Sequence, residues 1–204
     1  MSPTSSLVPR NSTRVAVVYH SGYGHTKVLA ESVARGAESV PGTLVSLIPV
    51  AEAEARAAEI EAADAVVFGA PTYMGSVSAP FKTFMDWSSK AWFGRAWKNK
   101  LAAGFTNSGS QSGDKLNTLM QLAVFAMQHG MIWIGLDLLP GNNNSKGSVN
   151  DLNRLGSFLG AMAQSNVDAG PGQAPIESDR KTAEYLGQRV ATFAGRLVPL
   201  AEAA

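Results

Sequence analysis

The sequence predicts an α/β fold: a doubly wound, five-stranded parallel sheet with helices on both faces. Three observations lead there. Short, almost wholly apolar, β-rich runs recur along the chain, as strands covered on both faces require. Helical patterns stand between them, which implies crossover connections and a parallel sheet. The chain has 204 residues, 45% of them hydrophobic, enough for one domain with a real core.

Residues 14–20 (RVAVVYH) give the first strand, and residues 21–25 a loop. Residues 26–37 read as a helix, with Val28, Leu29, Ser32, Val33 and Ala37 on one face and Gly36 near its end. Residues 43–48 (TLVSLI) form the second strand. Residues 52–63 are rich in Ala and Glu, with little apolar surface, and read as an exposed helix. Residues 64–69 (DAVVFG) are the third strand and residues 71–79 a loop. Pro80 suits the first turn of a helix running to Ser88. Residues 101–106 (LAAGFT) are the fourth strand, 107–113 (NSGSQSG) a Gly/Ser loop, and 114–128 a helix. Residues 131–134 are the fifth strand, 136–172 an irregular insertion, and 178–197 the last helix. Five strands in this sequence fit the flavodoxin-like order 2-1-3-4-5, with an insertion near strand five.

Residues 1–12 read as a tag remnant or disordered tail, because Leu7-Val8-Pro9-Arg10 resembles part of a protease site. Residues 13–200 read as the single domain. With 17 basic and 16 acidic residues, the charge balance gives no reason to expect nucleic acid, which asks for a basic face. The absence of cysteine excludes disulfides, thiolate metal sites and cysteine nucleophiles. No apolar run reaches the roughly 18 residues of a membrane span. The three histidines lack metal-ligand spacing, so no metal is expected.

In such a sheet, ligands bind beyond the carboxyl ends of the strands. The loops there are SGYGHT (21–26), APTYMG (70–75) and NSGSQSG (107–113), rich in glycine and hydroxyls and free of Lys and Arg. The first can hold a phosphate. Ser21 and Thr26 offer hydroxyls, Gly22 and Gly24 let backbone amides turn inward, and a helix N-terminus follows. A tight strand-to-helix turn needs the same residues. The P-loop Gly-Lys-Ser/Thr triplet is missing. The dinucleotide fingerprint fails too: Lys27 stands where its third glycine belongs, and strand two ends in Leu47-Ile48-Pro49 rather than an acid.

The second loop brings Pro71, Tyr73 and Met74 beside backbone amides, which suits a flat apolar ring. The third offers many donors for a heterocycle's polar edge. Singly, each is also explained as a solvent-facing turn, but three at one sheet end suggest one shared ligand. Residues 109–113 resemble a nucleophile elbow with the serine displaced, so a hydrolase reading is weak. Trp87, Trp92, Phe93 and Trp97 cluster after the third helix, for a core, a subunit contact or substrate stacking.

The stretches VVYHSGYGHT, VFGAPTYMGSVSAPFKTFMD, the Gly/Ser loop after FT, and QHGMIWIG resemble, in this order, the tryptophan-repressor-binding-protein family of flavodoxin-like FMN-dependent NAD(P)H:quinone oxidoreductases. The resemblance runs from Arg14 to Leu197. It implies FMN between the three loops. Ser21, Gly22, Tyr23, Gly24, His25 and Thr26 would hold the phosphate. Pro71, Thr72, Tyr73, Met74 and Gly75 would line the isoalloxazine, with Asn107, Ser108, Gly109, Ser110, Gln111 and Ser112 at its other edge. His129 would lie near the flavin as the catalytic group, reaching in from a neighbouring subunit. Tyr23 and Trp92 match positions linked to the nicotinamide nucleotide and the quinone.

The resemblance further implies a cytoplasmic homotetramer and a ping-pong reaction in which NADH or NADPH gives a hydride to flavin N5 and a quinone then takes two electrons. Family members often carry Arg where Tyr73 stands, and a Thr/Gly-rich third loop. Two alternatives stay open: a flavodoxin-type electron carrier, against which the balanced charge argues, and a non-enzymatic interaction protein.

Overall fold

The computed structural model describes residues 12–197. The expectations for residues 1–11 and 198–200 therefore lie outside the described residues. Strands β1 (Thr13–Tyr19), β2 (Thr43–Pro49), β3 (Ala65–Tyr73), β5 (Leu101–Ser108) and β6 (Ile132–Trp133) form one parallel sheet in the order β2-β1-β3-β5-β6. Counted as core strands, this is the expected 2-1-3-4-5. The edge beyond β5 is split. Strand β6 pairs with Leu101 and Ala102, and β7 (Ala161–Gln164) with residues 105–108. The insertion thus interrupts strand five, and its later part contains a strand where the sequence reading expected none.

Successive β1 side chains point to opposite faces, as the pleat demands. Val15 and Val17 join the core under α1 (His25–Glu38) and α6 (Glu177–Leu197). Ala16 and Val18 join the core under α2 (Ala57–Ala62), α3 (Ala79–Trp87), the short α4 (Ser89–Phe93) and α5 (Lys115–Gln128). Helices α1 and α6 approach closely through two glycines. A Cβ on Gly36 would fall 1.8 Å from the Glu184 carbonyl oxygen, and one on Gly187 1.9 Å from that of Val33.

Three expectations are corrected. The helix expected over 52–63 is a 3₁₀ turn (Val50–Glu52), a turn, and the short α2. Only Ile60 of α2 is buried, too little apolar surface to order a longer helix. The loop expected over 71–79 begins as strand: β3 runs to Tyr73 and turns through Met74 (φ 50) and Gly75 (φ 77) into β4 (Ser76–Val77). Two consecutive left-handed residues form the tight hairpin turn that matches strand twist. The Gly/Ser loop starts two residues late, because Asn107 and Ser108 are already committed to pairing with Pro71 of β3 and with Ala163 and Gln164 of β7.

Candidate functional site

At the carboxyl end of the sheet, the β1–α1 loop, the β3–β4 hairpin and the end of β5 enclose a cleft of about 650 Å³. Ser21, Tyr23, His25, Thr26, Pro71, Thr72, Tyr73, Asn107, Ser108 and Gly109 line it, as the sequence reading expected. Among the described residues no lysine or arginine lines it. A larger cavity, about 820 Å³, lies on the far side of the first loop against the end of β2 and α3, with a mainly apolar lining. The smaller cleft is the candidate site, because the three donor-rich loops converge only there.

Each loop is held by specific contacts. Ser21 Oγ accepts the Lys27 amide (3.1 Å), and Gly24 takes φ 90 before α1 begins. Among the described residues the amides of His25 and Thr26 have no protein acceptor, the usual state of a helix's first N–H groups. The Thr26 side chain is 2% exposed and its hydroxyl makes no protein hydrogen bond. A neutral cradle of free amides and an unpartnered hydroxyl on the cleft wall, at a helix N-terminus, fits a phosphate.

On the opposite wall, the Tyr73 hydroxyl sits against the first loop, where a Cβ on Gly22 would meet it at 2.7 Å. Tyr73 meets Tyr23 edge to face at 6.2 Å. Burial and the neighbouring Tyr23 raise the Tyr73 phenol, and the Gly22 amide offsets part of that. Beneath the cleft, Thr72 donates to Thr118 (2.8 Å) and shares a hydrogen bond with Thr106 (2.9 Å), fixing β3, β5 and α5 together. Asn107 Oδ1 accepts from Ser165 Oγ (2.9 Å), which leaves the Asn107 amide group as a donor toward the cleft.

The fourth wall escaped the sequence reading. Ser165, Val167, Asp168, Ala169 and Gly170 close the cleft from the segment after β7. His25 Nε2 donates to the Ala169 carbonyl (2.7 Å), and Gln164 Nε2 to that of Gly109 (2.8 Å). The alternation in AMAQ, followed by the turn-rich SNVDAGPG, was the available signal.

Other expected residues lie apart from the lining. Gly22 and Gly24 shape the loop. Met74, fully exposed, and Gly75 form the hairpin tip, tethered by Asn117 Nδ2 to the Gly75 carbonyl (2.6 Å). Ser110, Gln111 and Ser112 are exposed on the third loop. His129 and Trp92 line a different cavity, about 600 Å³, between α3 and α5. His129 follows α5 and precedes β6, so within one chain it sits at the amino end of the strands, opposite the cleft. The tryptophan cluster also divides. Trp97 is buried among Phe68, Phe84 and Phe125, whereas Trp92 and Phe93 are exposed.

Over residues 23–142 the chain matches the family described as NADPH-dependent FMN reductase, a span that includes the second and third loops and the first from Tyr23 onward. The chain belongs to that family. It is 42% identical to a flavodoxin, FldP, of Pseudomonas aeruginosa, over 91% of this chain and 98% of that one. It is 30% identical to an NAD(P)H dehydrogenase (quinone) of Syntrophus aciditrophicus, over 90% and 98% respectively. A solved structure described as a flavodoxin, WrbA-like protein from Agrobacterium tumefaciens superimposes with a TM-score of 0.69 at 41% identity, covering 91% of this chain and 99% of that one. Its fold is therefore that of a family of FMN-dependent NAD(P)H oxidoreductases. No helix among the described residues is long and apolar enough to cross a membrane.

Proposed function

We propose that this chain is an FMN-dependent NAD(P)H:quinone oxidoreductase of the tryptophan-repressor-binding-protein type. The observation that carries the reading is the cleft's division of labour. One end is a neutral anion cradle, the other holds the Asn107 amide, and an exposed Tyr23–Tyr73 rim lies open between them. Its volume lies in the range of small-molecule sites. When bound, FMN supplies two-electron transfer from a reduced nicotinamide to a quinone.

The chain's own part is to bind and orient. Thr26 and the amides of His25 and Thr26 would hold the phosphate. The backbone around Thr72 and Tyr73 would run along the ring, and Asn107 with the third loop would meet its polar edge. Tyr23, on the open rim, would receive the incoming substrate. Trp92 would serve a neighbouring copy's cleft in a homotetramer, with His129 behind it in the same cavity, since neither reaches the cleft of its own chain. A cytoplasmic location goes with a soluble nicotinamide donor.

A second reading has one specific observation in its favour: a 42% identical relative is named a flavodoxin. A net charge of +1 gives such a carrier little electrostatic steering toward a partner. Anaerobic stopped-flow absorbance of the FMN-reconstituted protein separates the two. Rapid bleaching by NADH or NADPH, then recovery on adding a benzoquinone, with no one-electron-reduced flavin accumulating, is the expected result. Bound flavin that neither nucleotide reduces would make the chain a carrier. A chain that takes up no flavin would return it to the interaction-protein reading.

A further inference from the structure

Lysine is seldom fully buried without a carboxylate partner. Lys115, the first residue of α5, is 1% exposed. It stands where a helix least favours a cation, at its amino end. Its ammonium donates to Ser108 Oγ (2.7 Å), the Ser110 carbonyl (2.9 Å) and the Gln111 carbonyl (2.6 Å). Those three contacts use all three of its N–H donors. Among the described residues no carboxylate pairs with it directly. The charges acting on it, Asp179 and Arg154, are bidentately bonded to each other and pull in opposite directions. Burial lowers the amine to about 8, so it remains charged at neutral pH.

All the ammonium's partners thus belong to the third loop or to the strand residue that starts it. Ser108 Oγ also donates to the Ser110 carbonyl (2.8 Å), closing a ring of contacts beneath the loop. The ring is tight: a Cβ on Gly113 would fall 2.2 Å from Ser108 Oγ. Gly113 and Asp114, both at φ 53, turn the chain back so that Lys115 lies under its own loop. A peptide plane carries its C=O and the following N–H on opposite sides. Drawing the Ser110 and Gln111 carbonyls inward therefore turns the Gln111 and Ser112 amides outward, and neither has a protein acceptor among the described residues.

We infer that Lys115 is a positioning residue: its buried ammonium holds the third loop closed, and with it Ser108 and Gly109 in place on the wall of the cleft where the flavin's polar edge would lie. The inference rests on the flavin reading for its ligand, and on contacts within the chain for its geometry. Preorganised donors bind more tightly than donors that must first be ordered.

The test compares wild type with Lys115→Met and with Lys115→Cys, the latter aminoethylated at its sulfur in denaturant and refolded. Because the chain has no cysteine, that alkylation restores an ammonium at position 115 alone. Two quantities are read: hydrogen exchange of residues 109–113 without flavin, and FMN affinity by fluorescence quenching. In Lys115→Met, loop exchange should quicken while the middle of α5 stays protected, and FMN affinity should fall on the order of tenfold. The aminoethylated protein should recover both. Unchanged loop exchange in Lys115→Met, or no recovery on aminoethylation, would overturn the inference. Should Lys115→Met fail to fold, refolding of Lys115→Cys only after aminoethylation, without loop protection, would overturn it too. Wild type that binds no FMN would sink the flavin reading alone, because loop exchange still decides whether Lys115 pins the loop.

Discussion

The imidazole of His129 lies nearly flat against the indole of Trp97, ring centroids 4.1 Å apart and planes 25° from parallel. Phe125 meets the same imidazole edge-on at 4.9 Å. Ser88 Oγ donates to the Met85 carbonyl (2.7 Å), so toward His129 Nε2 (2.9 Å) it accepts. The ring proton is therefore on Nε2, and Nδ1 is buried without a partner. Burial holds the imidazole neutral, its pKa lowered to about 4.

That sets a pH dependence of stability. The unfolded chain takes up this proton near pH 6.5, the folded chain only near 4, so the unfolded state binds more protons between those values. The contribution is complete above pH 6.5 and is lost as pH falls toward 4. Two and a half pK units correspond to roughly 3 kcal/mol. Urea denaturation of wild type and His129→Phe, from pH 8 to pH 4, should show the wild type losing stability more steeply across this window. Parallel curves would mean that His129 is not held neutral.

Thr26→Leu should weaken FMN binding strongly. Thr26 stands at the start of α1 with its hydroxyl unpartnered on the cleft wall, and the longer side chain would enter the cradle. Thr26→Val keeps the shape and removes only the hydroxyl, at an expected loss of about tenfold, the value of one hydrogen bond to a charged group. Titration with FMN, with circular dichroism to verify folding, gives both numbers. Unchanged affinity in both variants would place the phosphate elsewhere.

How much of this was legible in sequence depended on how local each feature is. Strands β1, β3 and β5 announce themselves because both faces are apolar, as Val15, Ala16, Val17 and Val18 show. The split edge strand does not, because β7 is four residues long and is defined by its partner, with Ala161 opposite Phe105. The three loops were legible because their chemistry is contiguous in the chain. The wall at residues 165–170 was not, since His25 reaches Ala169 across 144 positions. His129 was legible as unusual but not as buried, because the surface that covers it is Trp97 from a turn 32 residues earlier. In the sequence Lys115 is only the opening of a helix, with no local sign that its ammonium folds back under the loop.

Gly36→Ala and Gly187→Ala should each destabilise the fold by at least about 1–3 kcal/mol, the usual cost of overpacking. In each case the added methyl would meet a backbone oxygen, which cannot swing aside as a side chain can. Since α1 also carries the phosphate cradle, separating it from α6 should weaken FMN binding as well. Thermal melts with and without FMN measure both effects. An unchanged melting temperature would mean that the two helices slide apart without cost.

Trp92→Ala should alter quinone turnover more than FMN affinity. The indole is 45% exposed and shares its cavity with His129, away from the cleft of its own chain. No residue of the phosphate cradle or of the β3–β4 hairpin borders that cavity, so the proposed effect of Trp92 on turnover is one exerted at another copy's cleft. Steady-state turnover and FMN titration of the variant, each paired with its mass by light scattering, test this. Altered quinone kinetics with intact flavin affinity and intact assembly would assign Trp92 to the neighbour's substrate. Loss of assembly together with turnover would make it an interface residue, and loss of flavin affinity with normal turnover per bound flavin would make it structural.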